Sequence, residues 1–171
     1  MIKEKIENAL NKQINEELYS SYLYWSMSSY FESINLSGFA NWMKVQAEEE
    51  YLHARKFYNY LVSTGGRAIF ESIKAPKKEW NSIVEIFEET LEHEIFITNC
   101  INDLVTLALD ERDHATNSFL TWFVDEQVEE VATAEQVLHE VKMIADSKQG
   151  LFLLDREFKT RPGVIADIAS N

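Results

Sequence analysis

The sequence contains very few residues that break helices or cross-link chains. Its 171 residues include one cysteine, two prolines and five glycines. A β-sandwich or a doubly wound α/β sheet needs many more chain-turning residues, so both fold classes are disfavoured. A single cysteine cannot form an internal disulfide, and nothing in the sequence marks an oxidising compartment. We therefore expect a cytoplasmic protein built from a few long helices.

Basic residues and long apolar runs are scarce as well. The chain has 16 Lys and Arg against 29 Asp and Glu, which gives a formal net charge of −13. Nucleic-acid binding requires clustered basic residues, so we expect no nucleic-acid partner. No stretch approaches the ~18 apolar residues of a membrane span, and we expect no membrane partner. The acidic excess favours cations as ligands, although solubility alone would account for the same charge.

The few helix breakers are grouped, and the segments between them predict five helices. Short connections between helices one and two, and between helices three and four, make each pair antiparallel. The predicted elements are a first helix to about Phe31, a second over 37–64, a third opened by a capping box at Ser82 and Glu85, a fourth capped by Asp113 and ending near 146, and a short fifth over about 150–159.

The connection over 65–81 is long enough to reverse the order of the bundle. A 28-residue helix is roughly 42 Å long, and about 16 extended residues reach roughly 53 Å. Helices two and three can therefore lie parallel, as in a four-helix bundle with one long crossover. A simple up-down bundle with a loose middle loop is the alternative.

Each of the four long helices carries one glutamate in the middle of its apolar stripe. Burial of an unpaired carboxylate costs several kcal/mol, and four would also repel one another. One such glutamate would ordinarily be a surface residue, but four at a similar depth point to a shared role. Two divalent cations would balance the four charges. The four residues are Glu17, Glu50, Glu94 and Glu130.

A histidine completes this pattern. His53 follows Glu50 by three residues and so lies on the same helical face. The Glu-x-x-His spacing is typical of carboxylate-bridged metal pairs in helical bundles. Oxygen ligands with one imidazole suit iron, manganese or zinc. The sequence therefore predicts a dinuclear metal centre inside the bundle.

These residues make the chain resemble the non-haem ferritins of bacteria and archaea, essentially from end to end. The resemblance implies an all-α, ferritin-like four-helix bundle of about residues 4–146, with a long crossover between helices two and three and a short C-terminal fifth helix. It also implies a single domain over 1–171. The matching features are Glu17, Tyr24, the run Glu-Glu-Glu-Tyr-Leu-His at 48–53, Glu94 and the run Asp-Glu-Gln-Val-Glu-Glu at 125–130.

The resemblance implies a role for each site residue. It makes Glu17, Glu50 and His53 ligands of a first iron. It makes Glu94 and Glu130 ligands of a second iron, with Glu50 bridging the two.

The residues around the iron pair also acquire roles from the resemblance. Gln127 would act on bound oxygen species or on a ligand water. Tyr24 is placed to hydrogen-bond or pass electrons to the centre, and a structural core tyrosine is the equally weighted alternative. A third iron site, matching the bacterial branch, would combine Glu130 with Glu49, Glu126 and Glu129.

The implied function is iron storage with ferroxidase activity. Ferrous iron would be oxidised by dioxygen or hydrogen peroxide, and ferric mineral would collect inside a homo-oligomeric shell of 24 subunits. Tyr51 stands where the haem of bacterioferritins requires a methionine, so we expect no haem. Acidic residues line the three-fold channel of animal ferritins, whereas Asn117 and Leu120 occupy the matching positions here.

Two functions from other classes remain open at this point. The first is a di-iron or di-manganese oxidoreductase that stores no metal. The second is a helical interaction module whose acidic residues face solvent. Iron uptake far beyond two or three ions per chain separates storage from the first alternative, and metal-dependent stability separates both metal functions from the second.

Overall fold

The chain folds into five α-helices. The computed structural model describes residues 2–164, and this part of the chain contains no strand. No helix within it is long and apolar enough to cross a membrane. The helices are α1 (Glu4–Ser33), α2 (Ser37–Ser63), α3 (Ile83–Asp110), α4 (His114–Ile144) and α5 (Lys148–Phe158).

Side-chain caps fix where the later helices begin. The Ser82 hydroxyl accepts a hydrogen bond from the Glu85 backbone N–H (3.0 Å), so α3 begins as the sequence predicts. Asp113 caps α4 in the same way. Ser147 caps α5 by accepting from the Gly150 N–H (3.0 Å). Because of this cap, α5 begins at Lys148, two residues before the predicted start.

The connection between α2 and α3 runs along the whole length of α1. Near the start of α1, Asn11 Nδ2 donates to the Arg67 carbonyl (3.0 Å). Near its end, Tyr30 Oη donates to the Trp80 carbonyl (2.9 Å). The segment thus returns to the end of the bundle where α2 began, and α3 runs parallel to α2. The predicted crossover is confirmed, and the simple up-down alternative is wrong.

The core consists of two apolar clusters with a polar layer between them. One cluster contains Phe31, Phe39 and Phe87, and the other contains the stacked pair Phe57 and Phe123, whose ring centroids are 4.0 Å apart. Along every long helix, one glutamate lies between the residues that enter the two clusters. We call these four glutamates, together with the buried histidine and glutamine beside them, the polar layer; its members are Glu17, Glu50, Glu94, Glu130, His53 and Gln127.

The fifth helix caps the start of α2. No side chain within α2 caps its N-terminus, but Asp155 Oδ1 of α5 accepts hydrogen bonds from the N–H groups of Gly38 (2.7 Å) and Phe39 (3.2 Å). A Cβ atom at position 38 would lie 1.6 Å from the Asp155 carbonyl oxygen, so only glycine allows this approach. The C-terminal helix is therefore held against the helix that supplies Glu50 and His53.

Candidate metal centre

The structure places all four predicted glutamates of the polar layer in the interior. Glu17, Glu50 and Glu94 are each 1% exposed and Glu130 is 8% exposed. The predicted helical register is thus correct on all four helices. A solvent-facing set of acidic residues, which an interaction module would require, is inconsistent with this burial.

The α1–α2 half of the layer contains Glu17, Glu50 and His53. Ligand atoms of these three residues all lie within 4.8 Å of one another. Glu17 Oε1 accepts from Gln13 Nε2 (2.9 Å), and His53 Nδ1 lies 3.4 Å from Glu50 Oε2. Glu17 Oε2 and Glu50 Oε2 are buried, and neither finds a hydrogen-bond partner within residues 2–164. Buried carboxylate oxygens without donors are unfavourable in a protein interior unless a cation binds them.

Burial also raises the pKa of both carboxyl groups in this half well above the usual range for glutamate. For Glu17, the next cause is the charge of Glu50. For Glu50, it is the charges of Glu94 and Glu130. Low dielectric and like charges both favour the protonated acid. A divalent cation reverses that preference because it binds the ionised form.

The α3–α4 half of the layer contains Glu94, Glu130 and Gln127, and here the protein supplies hydrogen-bond donors. The hydroxyl of Tyr24 donates to Glu94 Oε1. Gln127 Nε2 lies 3.5 Å from Glu94 Oε2 and 3.3 Å from the Glu94 carbonyl oxygen. Glu130 Oε2 accepts from Gln46 Nε2 (3.0 Å). Burial and the Glu130 charge raise the pKa of Glu94 to about 8.

The second predicted ligand set is less compact than the first. Within residues 2–164, Glu50, Glu94 and Glu130 do not form a group whose ligand atoms all lie within 4.8 Å of one another. The carboxylates of Glu94 and Glu130 instead accept hydrogen bonds from Tyr24 and Gln46.

The residues predicted for a third iron site are only partly brought together. Glu126 and Glu130 group with His53 within 4.8 Å, and His53 Nε2 lies 3.9 Å from Glu126 Oε1. Glu129 is exposed and belongs to no such group in the part of the chain described. Glu49 Oε2 forms an ion pair with Arg161 (2.8 Å). Burial raises the pKa of Glu49 to about 6, and Arg161 opposes this rise.

Two residues that contact the glutamates of the layer, and a third that reaches them through one of the two, were not identified from the sequence. Gln13 and Gln46 donate to Glu17 and Glu130. Gln46 lies on the buried stripe of α2, so the helical periodicity predicts its burial but not its hydrogen-bond partners. Arg161 reaches Gln46 and Glu49 from the segment that follows α5, and no local pattern signals that contact.

A family model described as the ferritin-like domain matches residues 7–144. The chain belongs to the ferritin family. The bacterial non-haem ferritin of Bacteroides fragilis is 43% identical over 161 residues, covering 94% of this chain and 100% of that relative. The corresponding ferritin of Staphylococcus epidermidis is 40% identical over 94% of this chain and 97% of its own length.

Solved ferritin structures agree with the fold. An open-pore ferritin from the archaeon Archaeoglobus fulgidus superposes with a TM-score of 0.93 at 46% identity, covering 95% of this chain and 100% of that one. An engineered closed form of the same ferritin gives a TM-score of 0.94 at 44% identity over 96% of this chain and 100% of that one. The known function of ferritins is iron storage with ferroxidase activity, and this chain is an iron-storage ferroxidase.

Proposed function

We propose that this ferritin binds two ferrous ions in the polar layer of each subunit and oxidises them together. The observation that carries this proposal is the pair of buried oxygens, Glu17 Oε2 and Glu50 Oε2, which lack donors beside His53. A cation bound there would gain three ligands and remove two unsatisfied buried groups. The proposed first site is therefore Glu17, Glu50 and His53.

The second ferrous ion would bind to Glu94 and Glu130, with Glu50 bridging the two ions. Each iron gives up one electron. The pair thus supplies the two electrons that reduce dioxygen to hydrogen peroxide with two protons, or hydrogen peroxide to two waters with two protons. Gln127 lies against Glu94, close enough to orient a water or an oxygen species near this ion.

The remaining features of the proposal concern the third site and the assembly. Glu126 and Glu130, which group with His53, would take a third iron together with Glu49 and Glu129. The chain would form one domain over 1–171 and assemble into a 24-subunit cytoplasmic cage around the mineral. Ferritin family membership supports iron as the cargo and a multi-subunit assembly.

Aerobic titration with ferrous iron tests this function. We expect rapid oxidation of two irons per chain, followed by slower uptake of hundreds of irons into one large particle, measured by absorbance and by light scattering. Glu50→Ala should slow the rapid phase more than about 100-fold because both proposed irons lose a ligand. The matched control is Glu88→Ala, an exposed glutamate of α3 that pairs with Lys142.

The outcomes are distinct. Uptake that stops at two or three irons on a small oligomer would move the function to a di-iron oxidoreductase without storage. Unchanged oxidation in Glu50→Ala, with the wild type active, would refute Glu50 as the bridging ligand.

A further inference from the structure

Arg161 extends from the segment that follows α5 and lies against α2 beside the polar layer. Its Nη2 atom donates to Gln46 Oε1 (2.5 Å) and to Glu49 Oε2 (2.8 Å). Its Nη1 atom donates to the Trp42 carbonyl (3.3 Å), and the guanidinium lies 4.8 Å from the centre of the Trp42 ring. The side chain is about three-quarters buried, which leaves little freedom for another arrangement.

Gln46 connects Arg161 to the polar layer. Because Arg161 can only donate, it must face the amide oxygen of Gln46, and the Gln46 NH₂ group then points the other way. That group donates to Glu130 Oε2 (3.0 Å). Gln46 is 1% exposed, so water does not compete for these two hydrogen bonds. The chain of contacts from Arg161 to Glu130 therefore has a defined direction.

We propose that Arg161 is a positioning residue for iron binding. Through Gln46, Arg161 would hold the Glu130 carboxylate in position for the second ion. Through its ion pair, Arg161 would keep Glu49 from binding the third ion. This inference rests on the proposed function, because it assumes that Glu130 and Glu49 are metal ligands. A hydrogen bond to a ligating carboxylate typically changes metal affinity 10- to 100-fold.

The position of Arg161 depends on how α5 is docked. Asn41 Nδ2 of α2 donates to the carbonyls of Phe158 and Arg161, both at 3.0 Å. Asp155 binds the start of the same helix. The segment from α5 to Arg161 thus follows α2 from its first turn to the level of Glu49. Arg161 would accordingly act on the second site through Gln46 and on the third through Glu49.

Zinc titration of the assembled protein by calorimetry tests the proposal, since Zn²⁺ binds nitrogen and oxygen ligands without redox chemistry. The binding steps are assigned beforehand by their loss in Glu17→Ala, Glu94→Ala and Glu126→Ala. In Arg161→Gln we expect second-site affinity to fall about tenfold or more, third-site affinity to rise about tenfold, and first-site affinity to stay within about twofold.

Two further variants separate the two contacts of Arg161. Gln46→Leu should weaken the second site as strongly as Arg161→Gln but should not raise third-site affinity, because the ion pair with Glu49 remains. Arg161→Lys should restore wild-type third-site affinity by keeping the charge. It should not restore the second site, because one ammonium group cannot reproduce the arginine fork. The control is Arg156→Gln, an exposed arginine of α5.

The first-site affinity shows whether a variant has kept its fold. Equal losses at the first and second sites in Arg161→Gln would show a merely structural role and overturn the proposal. Unchanged affinity at the second and third sites would overturn it as well. If the wild type binds no zinc at any assigned site, the proposed function itself fails.

Discussion

The two halves of the polar layer satisfy their buried carboxylates in different ways. In the α1–α2 half, two glutamate oxygens have no donor within the described chain. In the α3–α4 half, Tyr24, Gln127 and Gln46 supply donors to Glu94 and Glu130. Without a cation, the described residues of the first half can satisfy these oxygens only by a proton shared between Glu17 and Glu50, whereas the second half has donors from neighbouring side chains.

This difference predicts an order of binding. A cation that enters the first half binds Glu17 Oε2 and Glu50 Oε2, which accept no hydrogen bond from a neighbouring donor in the part of the chain described. The carboxylates of the second half already have donors, which orient them for a cation but leave fewer unsatisfied groups for it to remove, so the net gain is smaller there. We expect the first site to fill before the second, and the following variants test the comparison.

The largest effect is expected for Glu17→Gln. This change removes a first-site ligand, so ferrous oxidation should slow more than about 100-fold in stopped-flow absorbance. It also removes a carboxyl group whose pKa burial raises well above the usual range, so that folding at neutral pH must add a proton to it. The metal-free protein should therefore gain about 1–3 kcal/mol in free energy of unfolding by urea titration.

Two comparisons make the Glu17→Gln result specific. Glu32→Gln, an exposed glutamate of the same helix, should change neither quantity. Glu94→Gln should stabilise the metal-free protein less, because Tyr24 already donates to Glu94. An equal gain in both halves would contradict the distinction between them.

The stability of the metal-free protein should depend on pH through Glu94. Its pKa is raised to about 8 by burial, against about 4.3 in an unfolded chain. A raised acid pKa contributes stability that is complete below the unfolded value and is lost as pH rises through the folded one. From pH 6 to pH 8, this group alone should reduce the free energy of unfolding by about 2 kcal/mol.

Urea unfolding at both pH values, for the wild type and for Glu94→Gln, isolates this contribution. The variant should lose less stability over the interval than the wild type. The same loss in both proteins would show that Glu94 does not titrate there.

A smaller effect is expected for Tyr24→Phe, which removes only a hydroxyl from the second half. Without that donor, Glu94 is less well oriented, and the affinity for the second ion should fall about tenfold. Zinc calorimetry measures this change, and the first-site affinity serves as an internal reference. Tyr58→Phe, at an exposed position of α2, is the matched control. A loss confined to the first site would reverse the assignment of Tyr24 to the second half.

The sequence predicts the fold and the ligand helices well because both depend on local periodicity. Each glutamate of the polar layer interrupts an apolar stripe, and spacing alone places Glu50 and His53 on one face. The length of the connection allows the crossover that the structure shows, although it left the up-down bundle as an alternative. These are properties of single helices or of connection length, and they do not depend on how the helices pack against one another.

The contacts that distinguish the two halves could not be predicted in this way. Gln46 and Glu130, which share a hydrogen bond, are 84 positions apart in the sequence. Arg161 and Glu49 are 112 positions apart. Such contacts depend on the rotation of each helix and on the course of the chain after α5. The earlier start of α5 has a simpler, local cause, because the Ser147 side chain caps the helix two residues before the predicted start.

Because Asp155 of α5 caps α2, two backbone amides of α2 report whether α5 is docked. The N–H groups of Gly38 and Phe39 are bound by Asp155 from another helix, whereas interior helical amides are bound by carbonyls of their own helix. Their hydrogen exchange with solvent therefore reflects how often α5 leaves the bundle. Exchange at these two amides measures the opening of the C-terminal helix separately from the opening of the core.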